Sequence, residues 1–83
     1  MLVKELEFEV SGLSFPVEAW IVLNHEIPHL PYQWFISHYY RPSEKYNSVY
    51  IPSRRHAASL EEAEVLLMKY ADKFTNLDVI PSS

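Results

Sequence analysis

Apolar and polar residues alternate from the start of the chain. Leu2, Leu6, Phe8 and Val10 fall on one side of an extended segment, and Val3, Glu5, Glu7 and Glu9 on the other. A period of two marks a strand with one buried and one solvated face. Ser11-Gly12 supplies a turn, after which Leu13, Phe15, Val17, Ala19, Ile21 and Leu23 alternate with Ser14, Pro16, Glu18, Trp20 and Val22. The two runs predict a β-hairpin. Pro28 and Pro31 then interrupt the segment from Asn24 to Pro31. Proline removes a backbone donor and restricts the residue before it, so a loop is predicted there.

Tyr32 to Tyr40 reads as a third strand, apolar on both faces. A polar connection follows from Arg41 to Asn47, then a short strand from Ser48 to Pro52, placed at an edge because Pro52 closes it. The period changes at Ser59. Ser59 with Glu62 forms a capping box, and Leu60, Ala63, Leu67, Ala71 and Phe74 line one helical face. Thr75-Asn76 can stop this helix, since Asn tolerates a left-handed backbone. Leu77 to Ile80 can add a last short strand. The expected fold is α+β: a small antiparallel sheet of three to five strands with one C-terminal helix packed on one face, residues 1–83 forming a single domain.

One helix covers one face of a sheet. Glu5, Glu7, Glu9 and Glu18 can keep part of the other face wet, but Trp20, Val22 and either Trp34/Ile36 or Phe35/Tyr39 would then lie exposed on it. A shift of one residue in the third strand exchanges these two sets. Trp20, Trp34, Phe35 and Tyr39 are therefore the candidate interaction residues, because buried aromatics tend to dominate interface energies. The partner expected is another protein or a second copy of the chain. The acidic array of Glu5, Glu7, Glu9 and Glu18 would also suit a basic partner.

The net charge of −4 speaks against a general affinity for nucleic acid. Its distribution is uneven. Residues 1–30 carry one Lys against five Glu, residues 31–58 carry Arg41, Lys45, Arg54 and Arg55 against Glu44, and residues 59–83 carry two Lys against five acids. The middle segment also holds seven of the twelve aromatic residues, so basic and aromatic side chains concentrate together. Arg41, Lys45, Arg54, Arg55 and His56 precede the capped helix, whose N-terminus offers free N–H groups. With the tyrosines nearby, they form a candidate anion or nucleic-acid site; alternatively, Arg54 and Arg55 neutralise Glu61, Glu62 and Glu64. In the order of its elements alone, the chain resembles small sheet-based DNA-binding domains of recombinases and plant transcription factors. That resemblance implies nucleic-acid binding, although no diagnostic motif of those families is present.

Catalytic chemistry finds little support. His25-Glu26-Ile27-Pro28-His29 matches the letters of the HExxH zinc motif, which needs both His one turn apart on a helix. Pro28 would cost such a helix about 3 kcal/mol. A looser set of His25 and His29 with His38 or His56 has imidazoles but no defined spacing. The chain has no cysteine and one glycine, which excludes thiol nucleophiles, disulfides and glycine-rich phosphate loops. No enzyme, metal or cofactor is expected. The acidic start lacks the basic and apolar regions of a leader, and the longest apolar run, Ala19 to Leu23, is too short to cross a membrane. A cytoplasmic interaction module, with nucleic-acid or anion binding as the alternative, is the expected function.

Overall fold

The computed structural model describes residues 1–40, 51–74 and 79–81. Strands β1 (Leu2–Phe8), β2 (Val17–Leu23), β3 (Tyr32–Ile36) and β5 (His56–Ala57) form a four-stranded antiparallel sheet in the order β1-β2-β3-β5. Strands β4 (His38–Tyr40) and β6 (Val79–Pro81) form a second, two-stranded antiparallel sheet. Helix α1 (Leu60–Ala71) packs across β2, β3 and β5. The expected α+β class and its single helix near the C-terminus hold.

The hairpin forms as the alternation predicts, but its strands are shorter. β1 stops at Phe8 and β2 starts at Val17. Pro16 has no N–H to give a ladder, and Gly12 takes φ 89°, a left-handed turn conformation that a side chain would disfavour. Leu13 N–H closes this turn on the Val10 carbonyl at 3.0 Å. Between Asn24 and Pro31 the chain is a loop, as the prolines require. Asn24 Oδ1 accepts from Glu26 N–H at 3.0 Å, and Asn24 N–H donates to the Pro31 carbonyl at 2.7 Å. His25 and His29 are exposed on this loop rather than stacked on a helix. Among the described residues no group of three or more His, Asp or Glu could hold a metal.

The third predicted strand is two strands. At Ser37 the chain bends, leaves β2 and continues as β4 beside β6. Ser37 fixes the bend: its N–H donates to the Glu18 carbonyl at 2.7 Å, and its Oγ accepts from Glu18 N–H at 2.9 Å. The neighbour of β3 beyond the hairpin is the two-residue β5, which carries no periodicity of its own. The strand expected from Ser48 to Pro52 lies largely outside the described residues, and Ile51 and Pro52 are not in a strand.

Register decides the faces. Ala19 pairs with Ile36 and Ile21 with Trp34, while Leu6 pairs with Ala19 and Phe8 with Val17. These residues lie under α1, where Ala63, Leu67 and Tyr70 are buried. Val17, Ala19, Ile21, Trp34, Ile36, Tyr40, Ala57 and Phe74 complete the core. Each large side chain fully buried here contributes roughly 1.5–3 kcal/mol. Tyr70 stands at the centre of an aromatic group, 5.0 Å from Tyr40, 5.5 Å from Phe74 and 5.9 Å from Trp34 between ring centroids. Burial pushes its phenol up to about 12.

Ser59 caps the helix as expected: its Oγ accepts from Glu62 N–H at 3.1 Å, and Glu62 Oε2 reaches back to Ala58 N–H at 3.2 Å. The helix ends at Ala71, earlier than the predicted stop at Thr75-Asn76, which lies outside the described residues. Lys73 N–H and Phe74 N–H bond three residues back and tighten the chain out of the α-helix. Leu2 does not join the buried face. It is 53% exposed, because a register shift between Leu2 and Lys4 interrupts the alternation at the outer end of β1. No helix among the described residues is long and apolar enough to cross a membrane.

Candidate interaction surface

The face of the four-stranded sheet turned away from α1 is organised in rows across the strands. Glu5 pairs with Trp20 and Trp20 with Phe35, so one row runs from a carboxylate through two aromatic rings. The rings stack with centroids 5.9 Å apart and an interplanar angle of 19°. Glu7 pairs with Glu18 on one side of this row. Val22, Gln33 and His56 form the row on the other side, where Asn24 Nδ2 donates to Gln33 Oε1 at 3.2 Å. Among the described residues, no helix or strand crosses this face.

Beyond the β3 end of the aromatic row lies Arg55. Trp34 N–H donates to the Arg55 carbonyl at 2.9 Å, which brings residue 55 alongside β3. The Arg55 guanidinium lies 5.6 Å from the centre of the Tyr39 ring and donates to Tyr39 Oη at 2.8 Å. A recess of about 200 Å³ opens among Trp20, Phe35, Tyr39 and Arg55, with Trp34 and Ile36 completing its lining. Among the described residues no carboxylate pairs with Arg55, and no cation pairs with Glu5, Glu7 or Glu18. Counting the described residues alone, the surface carries negative charge at the β1 side, an apolar centre, and one positive charge beyond β3.

The chain matches no protein-family model, no curated protein and no solved structure.

Trp20, Phe35, Tyr39 and Arg55 thus line one recess at the edge of β3, although they were expected at two separate sites; Tyr39 also meets Tyr70 of α1 edge-on, with ring centroids 6.4 Å apart. Trp34 does not join them as an anchor. Its side chain is 1% exposed and its Nε1 donates to the Arg54 carbonyl at 2.8 Å, because its register places it on the helix side with Ile21. The expectation of Trp34 as an exposed interaction residue is corrected accordingly. Arg41 and Lys45 lie outside the described residues. Arg54 points instead to the helix start, where it meets Glu62 Oε1 at 3.5 Å with both side chains well exposed, a pair of little energetic weight. That helix end is already served by the Ser59 hydroxyl and the Glu62 carboxylate. His56 is partly exposed, but its Nε2 is buried and makes no hydrogen bond.

A second feature carries no signal in the sequence. Phe15 stacks on His38 at 4.9 Å, and Ser37 Oγ lies 2.7 Å from His38 Nδ1. Together with Pro16, Glu18 and Val79 they line a shallow apolar groove. The bend at Ser37 assembles it from segments far apart in the chain.

Proposed function

We propose that this chain is a small, non-enzymatic protein–protein interaction module that self-associates through the helix-free face of its four-stranded sheet. The observation carrying this reading is the Trp20–Phe35 stack at the centre of that face. Two large rings in the middle of an uncovered sheet, rimmed by charged side chains, have the anatomy of an interface: an apolar centre that loses water and a polar edge that stays wet. The proposed setting is the cytoplasm, which a chain without cysteine suits.

Nucleic-acid or anion binding has less support. Arg54 is directed at Glu62, and the helix N-terminus is capped by its own side chains. A bound anion would have to displace a carboxylate to reach that end.

Acrylamide quenching of tryptophan emission tests the proposal on the unmodified chain. Trp34 is buried, so the quenchable emission belongs to Trp20. Quenching is expected to fall as protein concentration rises and the Trp20 face is covered. Quenching that stays constant with concentration rejects self-association through this face.

A further inference from the structure

We infer that two copies pack face to face about a two-fold axis parallel to the strands, with Glu5 of each copy entering the recess at Arg55 of the other. The inference rests on the proposed docking face and names its partner and its geometry. The row Glu5–Trp20–Phe35, with Arg55 lining the recess at its β3 end, is what suggests it. A two-fold axis running along the strands and passing between β2 and β3 reverses this row onto itself. Trp20 then lies over the other copy's Phe35, and the carboxylate end of each row lies over the guanidinium end of the other. In a two-fold interface every contact occurs twice, so Glu5 and Arg55, neither of which has an ionic partner among the described residues, satisfy each other without a foreign partner. An axis perpendicular to the strands would instead place Glu5 against Glu5 and Arg55 against Arg55. Like charges facing each other disfavour that arrangement.

The strands of the two copies remain nearly aligned in this packing, the arrangement sheets adopt when they stack with their natural twist. The recess beside Phe35 is large enough for a carboxylate side chain, and Arg55 has donors left after its single bond to Tyr39. The area sets the strength. Four strands about 4.8 Å apart and about five residues long give a patch of roughly 300 Å² per copy, or about 600 Å² in all, at the lowest end of interface sizes, where association is weak and reversible. The dimer therefore forms and dissociates with concentration.

Sedimentation velocity on the full chain, from about 10 to 500 μM, reads this directly. The unmodified chain is expected to shift from monomer to dimer across that range. Glu5→Arg and Arg55→Glu alone should each weaken association at least tenfold, because each sets like charges in contact twice per dimer. Mixing the two variants should restore it, since in the mixed dimer both contacts again join opposite charges. Circular dichroism confirms that each variant is folded; Glu5 is exposed at the outer strand, so Glu5→Arg keeps the test valid even where Arg55→Glu disturbs Tyr39. Should Arg55→Glu unfold, Arg55→Gln serves beside Glu5→Arg, each weakening association where the pairing exists. A mixture no more associated than its components overturns the pairing. If Trp20→Ala still abolishes association in that case, the docking face stands and only the geometry falls. A chain that stays monomeric throughout overturns both.

Discussion

Trp20 and Trp34 lie on neighbouring strands of one sheet and point to opposite sides of it. Trp34 is enclosed by α1, tilts against Tyr70 and satisfies its indole N–H on the Arg54 carbonyl. Trp20 is only partly covered, stacks on Phe35 alone, and has no hydrogen-bond partner for its indole among the described residues. An aromatic ring whose apolar body and polar tip are both satisfied belongs to the fold. One whose body is half wet and whose donor is unused has contacts left to make. The same residue type thus holds the domain together on one face and is available to a partner on the other.

The largest test of this contrast is a pair of truncations. Trp34→Ala should cost about 3–5 kcal/mol, a large share of the roughly 4–12 kcal/mol expected for a chain of this size, whereas Trp20→Ala should cost about 1 kcal/mol. Urea denaturation at low protein concentration separates the two. Equal costs would erase the distinction between the faces.

Alkaline pH probes the covered face with a smaller effect. The Tyr70 phenol is raised by burial to about 12, against about 10 for an unfolded tyrosine. The folded chain therefore keeps a proton that the unfolded chain releases, so the contribution is complete below pH 10 and is lost as pH rises toward 12. With solvent screening allowed for, about 1–2 kcal/mol of stability should disappear over that window. Tyr70→Phe should flatten the dependence. An unchanged pH profile in that variant would place the titration elsewhere.

Removing the helix cap is the smallest of these changes. Ser59→Ala should cost about 1 kcal/mol and speed amide hydrogen exchange in the first turn of α1. Because the first turn of α1 is remote from Trp20 and Phe35 on the open face, monomer–dimer equilibrium should be unaffected. A change in association would mean that the two faces are coupled.

Much of the covered face is legible in the sequence. Alternation through Val17, Ala19 and Ile21 assigns the inner side of β2, and Ser59 with Glu62 marks the helix start. The faces of β3 are not legible in the same way, because Trp34, Phe35 and Ile36 are all large and apolar. Gln33, which shares the open face with Phe35, is the one polar residue that indicates the register. The break at Ser37 is hidden since apolar residues continue on both sides of it. What makes the bend is a pair of hydrogen bonds to Glu18, nineteen positions away. β5 is likewise invisible, as two residues have no period. The convergence of Arg55 and Tyr39 with Trp20 and Phe35 follows from that bend and that short strand, so neither the site nor its charge pattern could be assembled from spacing.

Lys4 gives β1 a further property. It lies on the helix side of the sheet, opposite Ile21, and its Nζ meets Glu64 Oε1 at 2.6 Å. As an exposed pair it adds little stability. β1 is nevertheless the outermost strand, and such an edge can recruit any extended chain that passes. A charged ammonium on the same side as Leu6 and Phe8 ends the greasy stripe along that edge. A strand adding there would have to desolvate the ammonium or lie against it. One lysine thereby discourages open-ended fibre growth along that edge.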